Sequence, residues 1–450
     1  MPDDRTITPP FTDHYAAIAR AGAGGDLPWL HRLRERGFER YRALGLPTRR
    51  VEDWRYTNLK PLTKIDFQPA TDAPTPTALP DPGALAQDAY RLVVVNGRFR
   101  PELSALDGLP QGVEAGGLAH ALDRDPAAIE ARLGRLAAPD GMAMLALNTA
   151  LMADGFVLRL PRGAVMDRPL HVQFVTAPGE RPLACHPRNL IIAEPGSRAT
   201  VFESHVGAGG DVPSLGNLVT EVTVGEGARL AHYKLHDEAP PAFHLAMTQV
   251  TLDSRSAYDS FVLSVGGRLA RHELRVRLNG EDIDCRLNGA YVIAGDQHVD
   301  NTTFIDHAAP GSRSRQVYKG VLDETARGVF QGKILVRRHA QQTDGHQLNR
   351  ALLLSPGAEV DTKPELEIYA DDVKCSHGAA IGEIEEDQLF YLRARGIDRD
   401  RARDILVEAF VGEVIDEIGS DGGRQAFREV VAGWLAARRQ TRSQATGRRP

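Results

Sequence analysis

Between Phe156 and Tyr369 the chain is written almost wholly in short strand-type runs, and no other feature constrains the fold as much. Phe156–Leu160, Leu170–Val175, Leu218–Val224, Leu230–Leu235, Glu273–Leu278, Asp284–Val292 and Gly328–Val336 are among them, and several are rich in β-branched or aromatic residues. Glycine-bearing turns separate the runs, for example Gly225-Glu226-Gly227, Gly266-Gly267, Asn279-Gly280 and Pro310-Gly311. No helix-period segment longer than a turn interrupts them. Such a stretch can fold as a large sandwich, a propeller or a solenoid. No WD, kelch or hexapeptide signature occurs, and the turns recur without a strict period. Arg271–Leu278 keeps one apolar face, as a rung of stacked short strands would. The pattern leaves solenoid and sandwich equally open.

The flanks read differently. Before the strands, Asp26 can cap a helix with Pro28 in its first turn, and Leu30, Leu33, Tyr41 and Leu44 supply its apolar stripe. Val51–Tyr56 sets Trp54 and Tyr56 among charges and reads as a packing anchor. Phe67–Asp88, with Pro69, Pro74, Pro76, Pro80 and Pro82, reads as linker or irregular loop. Leu92–Val95 is a strand entering the tight turn Asn96-Gly97. Helices are expected around Leu118–Leu136 and Met142–Met152. Beyond the strands, Glu385, Glu386 and Asp387 start a helix that Arg393, Arg395 and Gly396 end. A second helix starts at Asp398, with Leu406, Phe410, Val414 and Ile418 on one face. A third carries Phe427, Val430, Val431, Trp434 and Leu435. Arg438–Pro450, with five arginines, reads as a disordered basic tail. The expected division is a helical region with linker over 1–152, a β-core over 153–374 and a helical domain over 375–450.

Composition narrows the function classes. A net charge of −6 gives no reason to expect nucleic acid or an anionic membrane. Three cysteines far apart make no disulfide framework and suit a reducing compartment. The start, MPDDRTITPP, has no apolar signal core, and no window approaches the roughly 20 apolar residues of a membrane span. A cytoplasmic location is expected.

Familiar catalytic constellations are missing from the sequence. Gly328-Val329-Phe330-Gln331-Gly332-Lys333-Ile334 has neither the spacing nor the Ser/Thr of a phosphate-binding loop, and no G-x-G-x-x-G, H-E-x-x-H or G-x-S-x-G occurs. What remains is Cys375-Ser376-His377, placed where the strand pattern gives way to helices. On an extended backbone, residues two apart face one way, so Cys375 and His377 share a side and Lys374 and Ser376 turn away. A thiolate beside an imidazole suits iron, zinc or an iron–sulfur cluster, but two ligands cannot complete a site. A nearby cation such as Lys374, or the metal itself, is expected to favour the thiolate. His205, His232, His236, His244 and His272 are scattered through the strands, and a lone strand histidine is usually a surface or hydrogen-bonded residue.

At this point the residues carry a resemblance. Tyr369–Ile397 (YADDVKCSHGAAIGEIEEDQLFYLRARGI) is similar to the C-terminal signature of the SufD side of the SufB/SufD family, which serves iron–sulfur cluster assembly in the SUF system. Val51–Thr57, Tyr318–Asp323, Ala326–Phe330, Gln341–Asp344 and Asn349–Ser355 agree, so the likeness covers essentially the whole chain. It implies a mainly β fold, a right-handed parallel β-helix flanked by N- and C-terminal helical regions. It also implies a non-catalytic scaffold role. The chain would pair with SufB through the β-helices and bind the SufC ATPase through the C-terminal helices. A transient iron–sulfur cluster would form at the SufB interface, with reduced flavin in the complex and ATP acting only through SufC. His377 matches the histidine implicated in cluster assembly, and Cys375 is its companion. SufB-like chains carry Glu-His-Glu where this one has Ser376-His377-Gly378, and a ligand cysteine where it has Asn349–Leu352, so the SufD role is the one implied. Two other classes compete: a solenoid enzyme acting on polysaccharide, with Asp296, Asp300 and Asp306 as carboxylates, and a mononuclear Cys/His metalloprotein.

Overall fold

The computed structural model describes residues 9–447 except 22, 23, 25, 72–75, 77 and 82. The start Met1–Thr8, Pro74, Pro82, Arg448 and Arg449, all used in the sequence reading, lie outside the described residues.

The chain begins with α1 (His14–Ala21) and α2 (Pro28–Leu44). It continues through β1 (Gln68–Pro69), β2 (Tyr90–Val95), β3 (Arg98–Phe99) and β4 (Glu114–Gly117) to α3 (Leu118–Arg124), α4 (Pro126–Glu130) and α5 (Ala143–Leu151). Asp26 does not cap α2: Leu27 holds the N-cap position without a side-chain bond, and Pro28, whose fixed φ suits the first turn, starts the helix. β2 and β3 form the hairpin expected at Asn96-Gly97, both residues having positive φ as a two-residue turn requires.

The strand-rich stretch is a parallel solenoid of two facing sheets. One sheet is built from β5 (Phe156–Leu160), β8 (Arg188–Ala193), β10 (Ser214–Val224), β12 (Ala242–Leu252), β14 (Leu269–Leu278), β16 (His298–His307), β18 (Arg327–Val336) and β20 (Glu359–Ile368). The other is built from β6 (Leu170–Thr176), β9 (Arg198–Gly207), β11 (Arg229–Asp237), β13 (Ala257–Ser264), β15 (Asp284–Ile293), β17 (Arg313–Leu322), β19 (Thr343–Leu353) and β21 (Val373–Gly382). The short β7 (Leu183–Cys185) sits beside β10 and β1. From β8 onward the chain crosses from sheet to sheet at every turn, each strand pairing in parallel with the one two further on, so the sandwich alternative falls away. The coil length is not constant. Ala257 lies against Asp284, 27 residues on, and Arg313 against Asp344, 31 residues on, which is why no strict period is visible.

Alternate side chains fill the space between the sheets, among them Val172, Ile191, Val201, Val222, Leu230, Val250, Val276 and Ile305. The outer face of the first sheet is covered by the N-terminal helices, where Leu147 joins Leu215, Phe243 and Leu245. A fully buried ion pair between neighbouring strands lies under this contact, Arg188 Nη2 being 2.7 Å from Glu221 Oε1. Trp54 is an anchor as expected, with the Arg271 guanidinium 4.3 Å above its ring.

The C-terminal helices α6 (Glu386–Arg393), α7 (Arg399–Ile415) and α8 (Asp421–Gly447) follow the last strand. Asp398 caps α7 as expected, accepting from the Arg401 amide at 3.0 Å. α7 and α8 fold back along the second sheet. Val407, Val411, Val414, Phe427, Val431 and Leu435 pack on Phe202, Tyr233, Phe261 and Val292. Of the expected stripe Val414 and Ile418 are buried, while Leu406 and Phe410 are only partly covered and Val407 and Val411 face the sheet instead. Two boundaries differ from the sequence reading. The solenoid runs to Gly382 rather than 374, because the last rung keeps its ladder hydrogen bonds although it lies open to solvent. The basic tail is helical as far as Gly447, with Arg438 paired to Asp323 and Glu324 at 3.1 and 2.7 Å and Arg439 to Asp404.

Candidate functional site

Cys375 and His377 stand on β21, the end strand of its sheet. In register, Cys375 lies opposite Gly345 and His377 opposite Gln347 of β19. Among the described residues no strand pairs with the outer edge of β21 or of β20. Strand alternation puts both side chains on the face that looks into the solenoid end, as the spacing indicated. Cys375 there packs beside Ile334, Val336, Leu366 and Ala370. The thiol is half-buried, while His377 is exposed. Asn349–Leu352 lies on β19 directly against Ala379–Gly382, one rung in from the end.

The electrostatics correct one expectation. Burial pushes the Cys375 thiol up from its ordinary value, the Gly345 backbone hydrogen bond opposes this, and the Asp344 carboxylate adds to it. Lys374 is exposed on the opposite face and does not favour the thiolate. On that outer face Ser376 meets a further imidazole, the Ser376 hydroxyl lying 2.6 Å from His346 Nδ1, with His346 Nε2 2.7 Å from Asp344.

The scattered histidines are not surface residues. His205, His232, His236, His244 and His272 all point between the sheets with Glu203, Lys234 and Glu238. His236 and His205 occupy paired positions on β11 and β9. The sequence signal was their shared parity, visible only once strand register is known.

The carboxylates of the polysaccharide alternative do not converge. Asp300 is buried against Arg271 and Thr57, Asp306 holds Arg337 at 2.7 Å, and Asp296 is exposed beside Arg268. A cleft of about 540 Å³ lies between β4, α3 and α4. Its lining mixes aliphatic side chains with His120, Arg124, Arg132 and Arg159 and with the carboxylates Glu114, Asp125 and Glu194, and it offers no Phe, Tyr or Trp ring to stack an isoalloxazine. It does not fit the flavin that the resemblance implies.

Fold and site together define a parallel β-solenoid protein, closed along its sides by helices and open at one end on a thiol and an imidazole. The chain matches the SufBD core domain of SUF system FeS cluster assembly over residues 174–410 and the SufBD N-terminal region over 6–172. It is 34% identical to an iron–sulfur cluster assembly SufBD family protein of Synechocystis, covering 84% of each chain. It is 34% identical to the iron–sulfur cluster assembly protein SufD of Escherichia coli, over 85% of this chain and 87% of that one. A chloroplastic protein of Arabidopsis thaliana is 31% identical over 92% of this chain and 88% of its own. The chain belongs to the SufBD family and is an iron–sulfur cluster assembly protein of the SUF system.

Proposed function

We propose that this chain is a non-catalytic scaffold subunit whose end rung supplies one half of a site on which a nascent iron–sulfur cluster is built. One observation carries the reading. The solenoid stops on two uncovered strands, with Cys375 and His377 on the inward face and with Ile368, Tyr369 and Ile381 39%, 63% and 48% exposed beside them. Open edges with apolar side chains are templates for pairing with another chain. The partner is a SufB-type solenoid, which brings the ligands this chain lacks. His377 would offer a neutral imidazole nitrogen to iron, and Cys375 its sulfur once iron draws off the proton that burial otherwise retains. The cluster is cargo, held at the interface and then released.

α6 leaves Phe390 72% and Tyr391 56% exposed, a face suited to docking the SufC-type ATPase. Force applied there reaches the second sheet through Lys319, which pairs with Glu413 and donates to the Phe410 carbonyl at 2.8 Å, and through Arg438 with Asp323. Such a linkage could shift the end rung relative to its partner.

Co-expression with SufB-type and SufC-type chains tests the proposal. A stable complex is expected, lost in Ile381→Asp and kept in a substitution on the covered side of the solenoid. A chain that never enters a complex with either partner overturns it.

A further inference from the structure

Between the sheets, far from the end rung, imidazoles and carboxylates replace the apolar core. The ring centroids of His236 and His244 are 4.5 Å apart, those of His244 and His272 5.0 Å, and those of His205 and His244 4.8 Å. His236 is next to last in β11, Glu238 opens the turn that follows, and His244 is near the start of β12, so three donors meet across one tight connection. Their donor atoms all lie within 4.8 Å of one another. His244 Nδ1 is 2.8 Å from Glu238 Oε2, and His236 Nε2 is 3.3 Å from the same oxygen but off the line of a hydrogen bond. The other Glu238 oxygen accepts from Thr176 Oγ1 at 2.8 Å. All three are nine-tenths or more buried, at 0%, 5% and 1% exposure for His236, Glu238 and His244.

A further observation points to a ligand. Among the described residues, His236 Nδ1 and His244 Nε2 have no hydrogen-bond partner, and His236 Nε2 has only its 3.3 Å contact with Glu238 Oε2. Buried polar atoms are as a rule paired, so nitrogens left open together at one spot call for an unseen partner.

We propose that His236, His244 and Glu238 form a binding site for one divalent first-row transition-metal ion. Two imidazole nitrogens and a carboxylate oxygen are a ligand set that Zn²⁺ and Fe²⁺ both accept. Thr176 orients the carboxylate as an outer-shell partner. The turn gives a route in, because Asp237 and Pro240 are at the surface while Glu238 between them is buried. β14 to β19 separate this site from Cys375, so it does not depend on the end-rung reading.

The test uses the full-length chain, stripped with a chelator and then given Co²⁺, Zn²⁺ or, without air, Fe²⁺. Elemental analysis is expected to give about one ion per chain for at least one of these metals. The Co²⁺ spectrum should show nitrogen–oxygen ligation without thiolate charge transfer. Uptake should be lost in Glu238→Gln and in His244→Gln and kept in the double variant Cys375→Ala, His377→Ala. The wild-type thermal midpoint should climb with free ion concentration, a reading that needs no variant. No uptake and no climb in the wild type overturns the proposal. So does uptake that survives Glu238→Gln and His244→Gln, or that vanishes with Cys375 and His377.

Discussion

Gly345 and Cys375 face each other across the last two rungs, and a β-carbon on residue 345 would stand 3.5 Å from the Cys375 sulfur. The glycine leaves the space over the thiol open. Gly345→Ala, at ordinary contact distance, should fold normally, whereas Gly345→Leu should cover the sulfur and slow its alkylation several-fold.

The same thiol should be the reactive one in the native chain. Cys185 and Cys285 are buried, and burial pushes the Cys185 thiol up to about 12 and raises Cys285 too. Alkylation of the folded protein is therefore expected to consume one thiol, abolished by Cys375→Ala. Because burial also raises Cys375, its rate at pH 8 should be below that of a free cysteine and should keep rising into alkaline pH. Fast labelling of all three cysteines would contradict the burial assigned to them.

Glu221 ties the N-terminal helices to the solenoid. It accepts from the amides of Gly134, Leu136 and Ala137 and neutralises Arg188, which also donates to Asn148 at 3.1 Å. Glu221→Ala strands a buried guanidinium and should lower unfolding free energy by about 3–5 kcal/mol in a denaturant titration. A loss below about 1 kcal/mol would mean that the pair is not buried.

Phe427 is fully covered and lies 5.3 Å from the Phe261 ring, centroid to centroid. Phe427→Ala should weaken the docking of α7 and α8 by about 3–5 kcal/mol. Hydrogen exchange should then quicken in those helices while the inner rungs of the solenoid stay protected. Uniform quickening throughout would show that the helices and the solenoid unfold as one unit.

Stability should fall in mild acid. Burial holds His171 and His307 near a pKa of about 4 and His186 near about 3, against an ordinary value of 6.5. The unfolded chain therefore binds protons below about pH 6.5 that the folded chain refuses, so unfolding free energy drops as pH falls from about 6.5 to about 4. Thermal midpoints at pH 7, 6 and 5 should descend in that order. A flat profile would mean that these rings are charged inside the fold.

The strands were legible because alternate residues on each rung meet different surroundings, as Arg271–Leu278 already suggested. The coil was not, since rung spacing varies and polar residues such as His232 and Glu203 occupy inward positions where an apolar pattern is sought. The strand pattern fades at Lys374 because β21 is open to solvent and has no fully buried residue to mark it as earlier rungs are marked. The arginine tail misled for another reason. Arg438 finds its partners at Asp323 and Glu324, more than a hundred residues earlier, and no local signal announces such a contact. Cys375 and His377 could be seen as a pair from their spacing alone. Their openness at the edge of the sheet needed the strand order.

The most direct test of the end rung is the cluster content of the purified complex with SufB-type and SufC-type partners, read by absorbance and by iron and sulfide analysis. The wild-type complex should accumulate cluster, while the His377→Ala and Cys375→Ala complexes, assembled in equal yield, should hold several-fold less. Equal cluster in all three would contradict the account.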